Sequence, residues 1–340
     1  ITVDGSTGRV YEGDHLSEIQ TTSIVEHYDP NLKTATKVYL NLAEPDLADI
    51  MSKRNVDGIG LLRAEFMIAN IGTHPRKFIE DGKSKEFTDL LTDGLHKFAK
   101  EFNPRPVVYR FTDFRSNEYK NLIGGEKFEQ DEFNPMIGFR GVSRYLDDAE
   151  VFKLEVEAIK NVRNKRGLNL HVMFPFVRTV EQLREVKKLL ASFGLSRSGS
   201  FKIWMMVEIP SNVILLDEFI AEGIDGVSVG TNDLTMLLLG VDRDNEKIAN
   251  VYSEMNPAVL KSLEKIVTTA HKNGITSSIC GQAPSVYPEL VEMLVAWGIT
   301  SVSISPDVVD KTRSIIYEAE KKVLSKKKST KTTKSKSSKK

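Results

Sequence analysis

The sequence predicts an α/β protein built on a closed (β/α)8 barrel, and three observations carry that expectation. Eight short apolar or β-branched runs recur between residues 37 and 304. Amphipathic stretches of helical period separate most of them. No G-x-G-x-x-G follows the first run to mark an open dinucleotide-binding sheet. Strand alternating with helix over this length favours closure into a barrel.

The runs are Lys37–Leu42, Gly58–Leu62, Pro106–Phe111 and Leu170–Phe174, then Phe201–Val207, Gly226–Val229, Ile275–Ile279 and Ser301–Ile304. Among the intervening stretches, Thr179–Phe193 places Val180, Leu183, Val186, Leu189 and Leu190 on one helical face. Asn256–Asn273 does the same with Val259, Leu263, Ile266, Val267 and Ala270. The connection after the third strand is long, from Asp113 to Asn134, and predicts an insertion capping the barrel mouth. The barrel is expected over residues 37–322.

At the N-terminus, D-G-S-T-G and E-G-D turn signals surround the strand-like Arg9–Tyr11, so residues 1–15 read as the end of a preceding domain and 16–36 as a linker. The chain opens on Ile1 rather than Met, which reads as a fragment of a longer product. At the other end, 323–340 is a Lys/Ser/Thr-rich tail. Within 325–340 there are 8 Lys, 8 Ser or Thr and no acid. Such a segment buries too little apolar area to offset its ordering entropy and is expected to be disordered, either as a solubilising tail or as a contact for an anionic surface. The tail also hides a charge imbalance. The whole chain has 47 basic and 47 acidic side chains, but the remainder carries 39 against 47, a net of −8.

Composition removes several classes. A hydrophobic fraction of 40% with 22 Gly and 12 Pro excludes global disorder and collagen. No window reaches the ~18 uninterrupted apolar residues of a membrane span, and there is no signal-peptide profile, so a cytoplasmic protein without a membrane partner is expected. One cysteine, Cys280, excludes an intrachain disulfide and a cysteine-cluster zinc site.

In a barrel of this kind the active site lies at the carboxyl ends of the strands, so polar residues at those ends are the candidates. Arg63 and Glu65 follow the second strand, Arg110, Asp113 and Arg115 the third, Glu208 the fifth, Asn232 and Asp233 the sixth, and Cys280 and Gln282 the seventh. Glu208 and Asp233 are hard oxygen ligands of the kind Mg2+ takes, or else partners of a nearby arginine. Arg63, Arg110 and Arg140 each suit a bidentate grip on phosphate or carboxylate, or a structural ion pair; three together point to an anionic substrate. Cys280 is either a small buried hydrophobe or a reactive thiol. No histidine ends a barrel strand, so triad schemes lack a base.

Seven segments carry a family resemblance: G-I-G-L-L-R-A-E-F (58–66), R-F-T-D-F-R-S-N-E-Y (110–119), N-P-M-I-G-F-R-G (134–141), F-P-F-V-R-T-V (174–180), E-I-P-S-N (208–212), V-G-T-N-D-L-T (229–235) and I-C-G-Q-A-P-S (279–285). Together, and in this order, they resemble the C-terminal PEP/pyruvate barrel of the PEP-utilising enzymes, in particular the phosphoenolpyruvate synthases (pyruvate, water dikinases). The resemblance covers residues 1 to about 320. C-G-Q followed by P-S resembles the synthases, whereas pyruvate phosphate dikinase and the phosphotransferase-system enzyme I usually read C-G-E; Ala283 stands where Gly is more usual. Residues 1–15 resemble the end of the swivelling phosphohistidine domain.

The resemblance implies an ATP-dependent kinase reaction of gluconeogenesis, ATP + pyruvate + water giving AMP + phosphoenolpyruvate + phosphate, through a phosphohistidine on another domain. It implies Mg2+ on Glu208 and Asp233, and Arg63, Arg110 and Arg140 on the phosphoryl and enolate oxygens. Asn232, with the backbone around Gly230 and Thr231, would take the carboxylate, and Cys280 would exchange the proton at C3. The implied partners are pyruvate or phosphoenolpyruvate, the phosphohistidine and ATP-grasp domains, and a second copy joined through the barrel, with no specific nucleic acid. The competing readings are a dikinase or enzyme I-like barrel, and a non-catalytic assembly scaffold.

Overall fold

The computed structural model describes residues 1–4, 9–14, 29, 31–165 and 167–337. Most of the expected linker, 16–28 and 30, therefore lies outside the described residues, as do 5–8, 15, 166 and 338–340. β1 (Thr2–Asp4) and β2 (Arg9–Tyr11) pair antiparallel in a small sheet of their own. The other eight strands are β3 (Lys37–Leu42), β4 (Gly58–Arg63), β5 (Val107–Arg110), β6 (Leu170–Phe174), β7 (Ile203–Val207), β8 (Gly226–Val229), β9 (Thr276–Ile279) and β10 (Ser301–Ile304). They form one parallel sheet in the order β10-β3-β4-β5-β6-β7-β8-β9, the topology of a nearly closed (β/α)8 barrel. At the seam between β9 and β10, Thr300 N donates to Ser277 O at 3.2 Å and Ser277 N to the Thr300 hydroxyl at 2.9 Å.

All eight expected runs are strands, with ends moved by no more than two residues. The helices follow the apolar periodicity: Val180–Ser192 buries Leu183, Val186 and Leu190, and Pro257–Lys272 buries Val259, Leu263, Ile266, Val267 and Ala270. Thr179 and Asn256 cap them, each side chain accepting a backbone N–H of the first turn. The insertion after the third barrel strand is present as two short helices, Ser116–Lys120 and Gly125–Phe128, followed by irregular chain to Gly141. The connection from β4 to β5 is also long, with helices at Ala64–Ile71, Pro75–Glu80 and Ser84–Phe102. Among the described residues no helix is long and apolar enough to cross a membrane.

The final helix, Val309–Ser337, runs through most of the 323–340 segment that composition reads as disordered. The segment has no Gly or Pro, Lys is a good helix former, and adding a residue to an existing helix needs no new nucleus.

Two apolar layers hold the barrel. One lies between sheet and helices, with Val38, Leu40, Ile59, Val107, Val172 and Val227 facing outward into it. The other fills part of the interior with Leu61, Val108, Met173, Met206 and Cys280, and Trp204 packs beneath. A side chain at Gly226 would run first into Thr276 on β9 and then into Trp204 Cδ2 at 3.1 Å, so glycine is what lets both pack there. The rest of the interior is polar: Ser303 donates to Asn41 Oδ1 at 2.8 Å, and Asn41 Nδ2 donates to Cys280 O at 3.1 Å.

His171 on β6 gives the fold a pH dependence. Its Nδ1 accepts the Lys202 N–H at 3.2 Å, and burial, aided by Arg163 and Lys202, pushes its pKa down to about 4 from 6.5. Below pH 6.5 the unfolded chain takes up a proton that the folded chain refuses, so this contribution to stability is lost as pH falls from about 6.5 to 4. At ~1.4 kcal/mol per pKa unit the loss is on the order of 3–4 kcal/mol. In urea titrations His171→Asn, which keeps an acceptor near Nδ1, should flatten the curve in that window; a variant curve parallel to the wild type would refute the assignment.

Candidate active site

The carboxyl ends of the strands surround a cavity of about 350 Å³. Arg63 ends β4 and Arg110 ends β5; Glu208, Gly230 and Cys280 directly follow β7, β8 and β9. Arg140 arrives from the insertion, while Asn232 and Asp233 sit in the first turn of the helix Thr231–Leu239. All of these line the cavity. Thr231 is the exception among the expected site residues. It is fully buried, its hydroxyl donates to Glu254 Oε1, and only its backbone is left near the mouth.

Glycine is required beside the buried carboxylate. A Cβ at Gly230 would lie 2.9 Å from Glu208 Oε2 and 3.2 Å from Met206 Sδ. Glu208 is 2% exposed, and its Oε1 accepts the Phe176 N–H at 2.6 Å. Phe176 reaches that position with φ of 48°, a left-handed conformation that costs a bulky residue ~1 kcal/mol or more. Its ring lies under two guanidinium groups, Arg140 at 4.1 Å and Arg178 at 4.6 Å. Arg178 pins the insertion through Ser143 Oγ at 2.7 Å and Arg140 O at 3.3 Å.

Three carboxylates, Asp113, Glu208 and Asp233, converge so that one oxygen from each lies within 4.8 Å of the others. Burial, then the charges of Asp113 and Asp233, push the Glu208 carboxyl well above the usual carboxylate range. Arg140 answers part of this charge, with Nε and Nη2 on Asp113 at 3.0 and 2.6 Å and Nη2 on Asp233 at 2.9 Å. Arg110 bonds Glu65 at 2.9 Å and lies 3.5 Å from Asp113. Burial works against its charge, but Glu65, Asp113 and Glu208 more than offset it. Arg63 has no ion pair among the described residues, and its buried Nε lacks a hydrogen-bond partner. Burial and the neighbouring Arg110 lower its pKa. Cys280 is 2% exposed, and burial pushes its thiol up to about 11, so it is protonated at neutral pH.

Strand-end position brought Asp113 and Glu65 into view without roles. The structure makes Asp113 the third carboxylate and the clamp on Arg140, and Glu65 the partner of both Arg110 and the Asp113 N–H, at 2.7 Å. Arg243, in the loop after Thr231–Leu239, also lines the cavity; with the Asn232 amide turned to suit its neighbours, its Nη1 donates to the amide oxygen at 2.9 Å. No spacing signal marks it, because it follows a helix rather than a strand.

Comparison with known proteins gives the family. The family model described as PEP-utilising enzyme, PEP-binding domain, matches residues 23–321. A probable phosphoenolpyruvate synthase of Staphylothermus marinus is 48% identical over 342 residues, covering 95% of this chain and 41% of that protein. The phosphoenolpyruvate synthase of Aeropyrum pernix is 48% identical over 344 residues, covering 95% and 42%. That of Pyrococcus furiosus is 41% identical over 331 residues, covering 95% and 40%. The chain thus spans about two fifths of the length of these relatives.

Proposed function

This chain belongs to the PEP-utilising enzymes, as their PEP-binding domain, and from that premise we propose that its barrel mouth carries the pyruvate half of a phosphoenolpyruvate synthase reaction. In that reaction ATP, pyruvate and water yield AMP, phosphoenolpyruvate and phosphate. A histidine on another domain delivers the phosphoryl group, and the enolate oxygen of pyruvate receives it at this site. The observation that carries the reading is the convergence of carboxylates, guanidinium groups and one protonated thiol on a single cavity.

The residues fit a divalent cation. Their donors are hard oxygens, no histidine lines the cavity, and the raised Glu208 carboxyl marks negative charge that a cation would relieve. Glu208 and Asp233 would hold Mg2+, which when bound supplies positive charge against the developing enolate oxygen. Arg63 and Arg110 bind the phosphoryl oxygens, Arg63 being the guanidinium with no carboxylate of its own. Asn232 and the backbone N–H groups from Thr231 to Asp233 orient the substrate carboxylate at the start of a helix, the Gly230 N–H being held by Val207 O at 3.1 Å. Arg140, clamped by Asp113, holds Asp233 and screens the carboxylates from one another. Cys280 gives its proton to C3 when pyruvate forms and takes one from C3 in the synthetic direction.

C-G-Q at 280–282 and relatives named as synthases favour this reading over a dikinase or an enzyme I-like barrel. The β1–β2 sheet supports reading residues 1–15 as the end of a phosphohistidine domain, and the same reading carries a cytoplasmic location.

Oxalate has the shape and charge of the enolate, which makes it the probe. Isothermal titration of the purified chain should show binding with Mg2+ and a much weaker response without it. Absence of any heat with Mg2+ present would overturn the reading and leave the scaffold alternative.

A further inference from the structure

We propose that Ser228 is a positioning residue for Cys280: its hydroxyl donates a hydrogen bond to the sulfur whenever Cys280 has passed its proton to C3. The inference rests on the reading of Cys280 as the group that exchanges that proton. Side chains alternate along a strand, so Ser278 faces the barrel interior with Cys280 two residues on. Ser228 pairs in register with Met206 on one side and Ser278 on the other, which places it on the same inner face, one layer below the thiol.

Barrel interiors are usually filled at this level by branched aliphatic side chains. Here the Ser228 side chain is fully buried, and its Oγ has no conventional hydrogen-bond partner. Such a hydroxyl costs ~1–3 kcal/mol unless something uses it. The thiol is the polar group above it on the adjacent strand of the inner face, and the hydroxyl favours its anion. Arg110 and Arg63 act in the same direction from the mouth, and Glu208 acts against it. While protonated, the thiol donates to Val229 O at 3.5 Å, a bond the thiolate loses; the backbone beside it is fixed by Cys280 N on Val229 O at 2.9 Å and Asn41 Nδ2 on Cys280 O at 3.1 Å.

The step balances without another reactant. The S–H bond breaks, its proton forms a C–H bond with the electron pair of the enolate double bond, and sulfur keeps the S–H pair. Ser228 keeps its own proton and turns it toward the sulfur. In the reverse direction the thiolate takes the proton from the methyl carbon, and the serine hydrogen bond is what the buried thiolate has in place of water.

Cys280 is the only cysteine of the chain, so alkylation by iodoacetamide, followed by mass, reads it alone. Well below the thiol pKa, the rate at fixed pH is proportional to the thiolate fraction. Ser228→Ala should slow alkylation about tenfold at pH 9 without metal, and slow exchange of pyruvate methyl protons by a similar factor with Mg2+. Oxalate affinity should be unchanged and the melting temperature should not fall. Ser228→Thr should behave as wild type and Ser228→Val as the alanine variant, a pair of matched shape that keeps the test decisive if alanine loosens the barrel. Ser278→Ala, which removes the neighbouring unpartnered hydroxyl, is the control and should leave both rates within twofold. Wild-type alkylation in Ser228→Ala and Ser228→Val would overturn the proposal. The metal-free alkylation arm stands apart from catalysis, so failure of Cys280 as the proton-exchanging group would show separately, as exchange retained in Cys280→Ser.

Discussion

Replacing Cys280 by serine should reduce exchange of the methyl protons of pyruvate with deuterated solvent by ~100-fold or more, while oxalate still binds with Mg2+. The thiol is buried, and burial pushes it up to about 11, so it serves at neutral pH as a neutral proton donor whose conjugate base is reachable. A serine hydroxyl is a far weaker acid and cannot take over the proton exchange. Arg63, Arg110 and the carboxylates are untouched by the change, so affinity should survive. If Cys280 were only a packing residue of the inner apolar layer, the variant would lose ~1 kcal/mol of stability through an ill-satisfied hydroxyl and exchange would continue. Retained exchange would return Cys280 to the core and leave the proton step without a residue.

Glu208→Gln and Asp233→Asn should each remove Mg2+-dependent oxalate binding, a fall of at least ~100-fold, without unfolding the barrel. Each change deletes one negative ligand from the carboxylate cluster at nearly constant shape. In Glu208→Gln the new amide oxygen can still accept the Phe176 N–H, and burial disfavours the charge that glutamine lacks, so the melting temperature of this variant should not fall. Asp233→Asn loses the charge opposite Arg140, but Arg140 keeps its two contacts with Asp113. Circular dichroism melts run beside the titrations separate loss of fold from loss of ligand. Unchanged oxalate affinity in both variants would refute the assignment of Glu208 and Asp233.

The barrel was legible in the sequence because its signals are local. A strand is marked by four to six apolar residues between turn formers, and a helix by an apolar face of period 3.6. The strand-end rule then nominates Arg63, Arg110, Glu208, Asp233 and Cys280 one at a time, since each follows its own run. What the sequence could not supply is which of these charges face one another. Arg140 is 27 residues from Asp113 and 93 from Asp233, yet closure of the sheet puts one guanidinium on both. Ion-pair energy depends on distance and burial, which only the folded barrel sets. The same holds for Thr231, whose side chain turns to Glu254 instead of the mouth, and for Ser228, a serine in an apolar run until the neighbouring strand places a thiol above it.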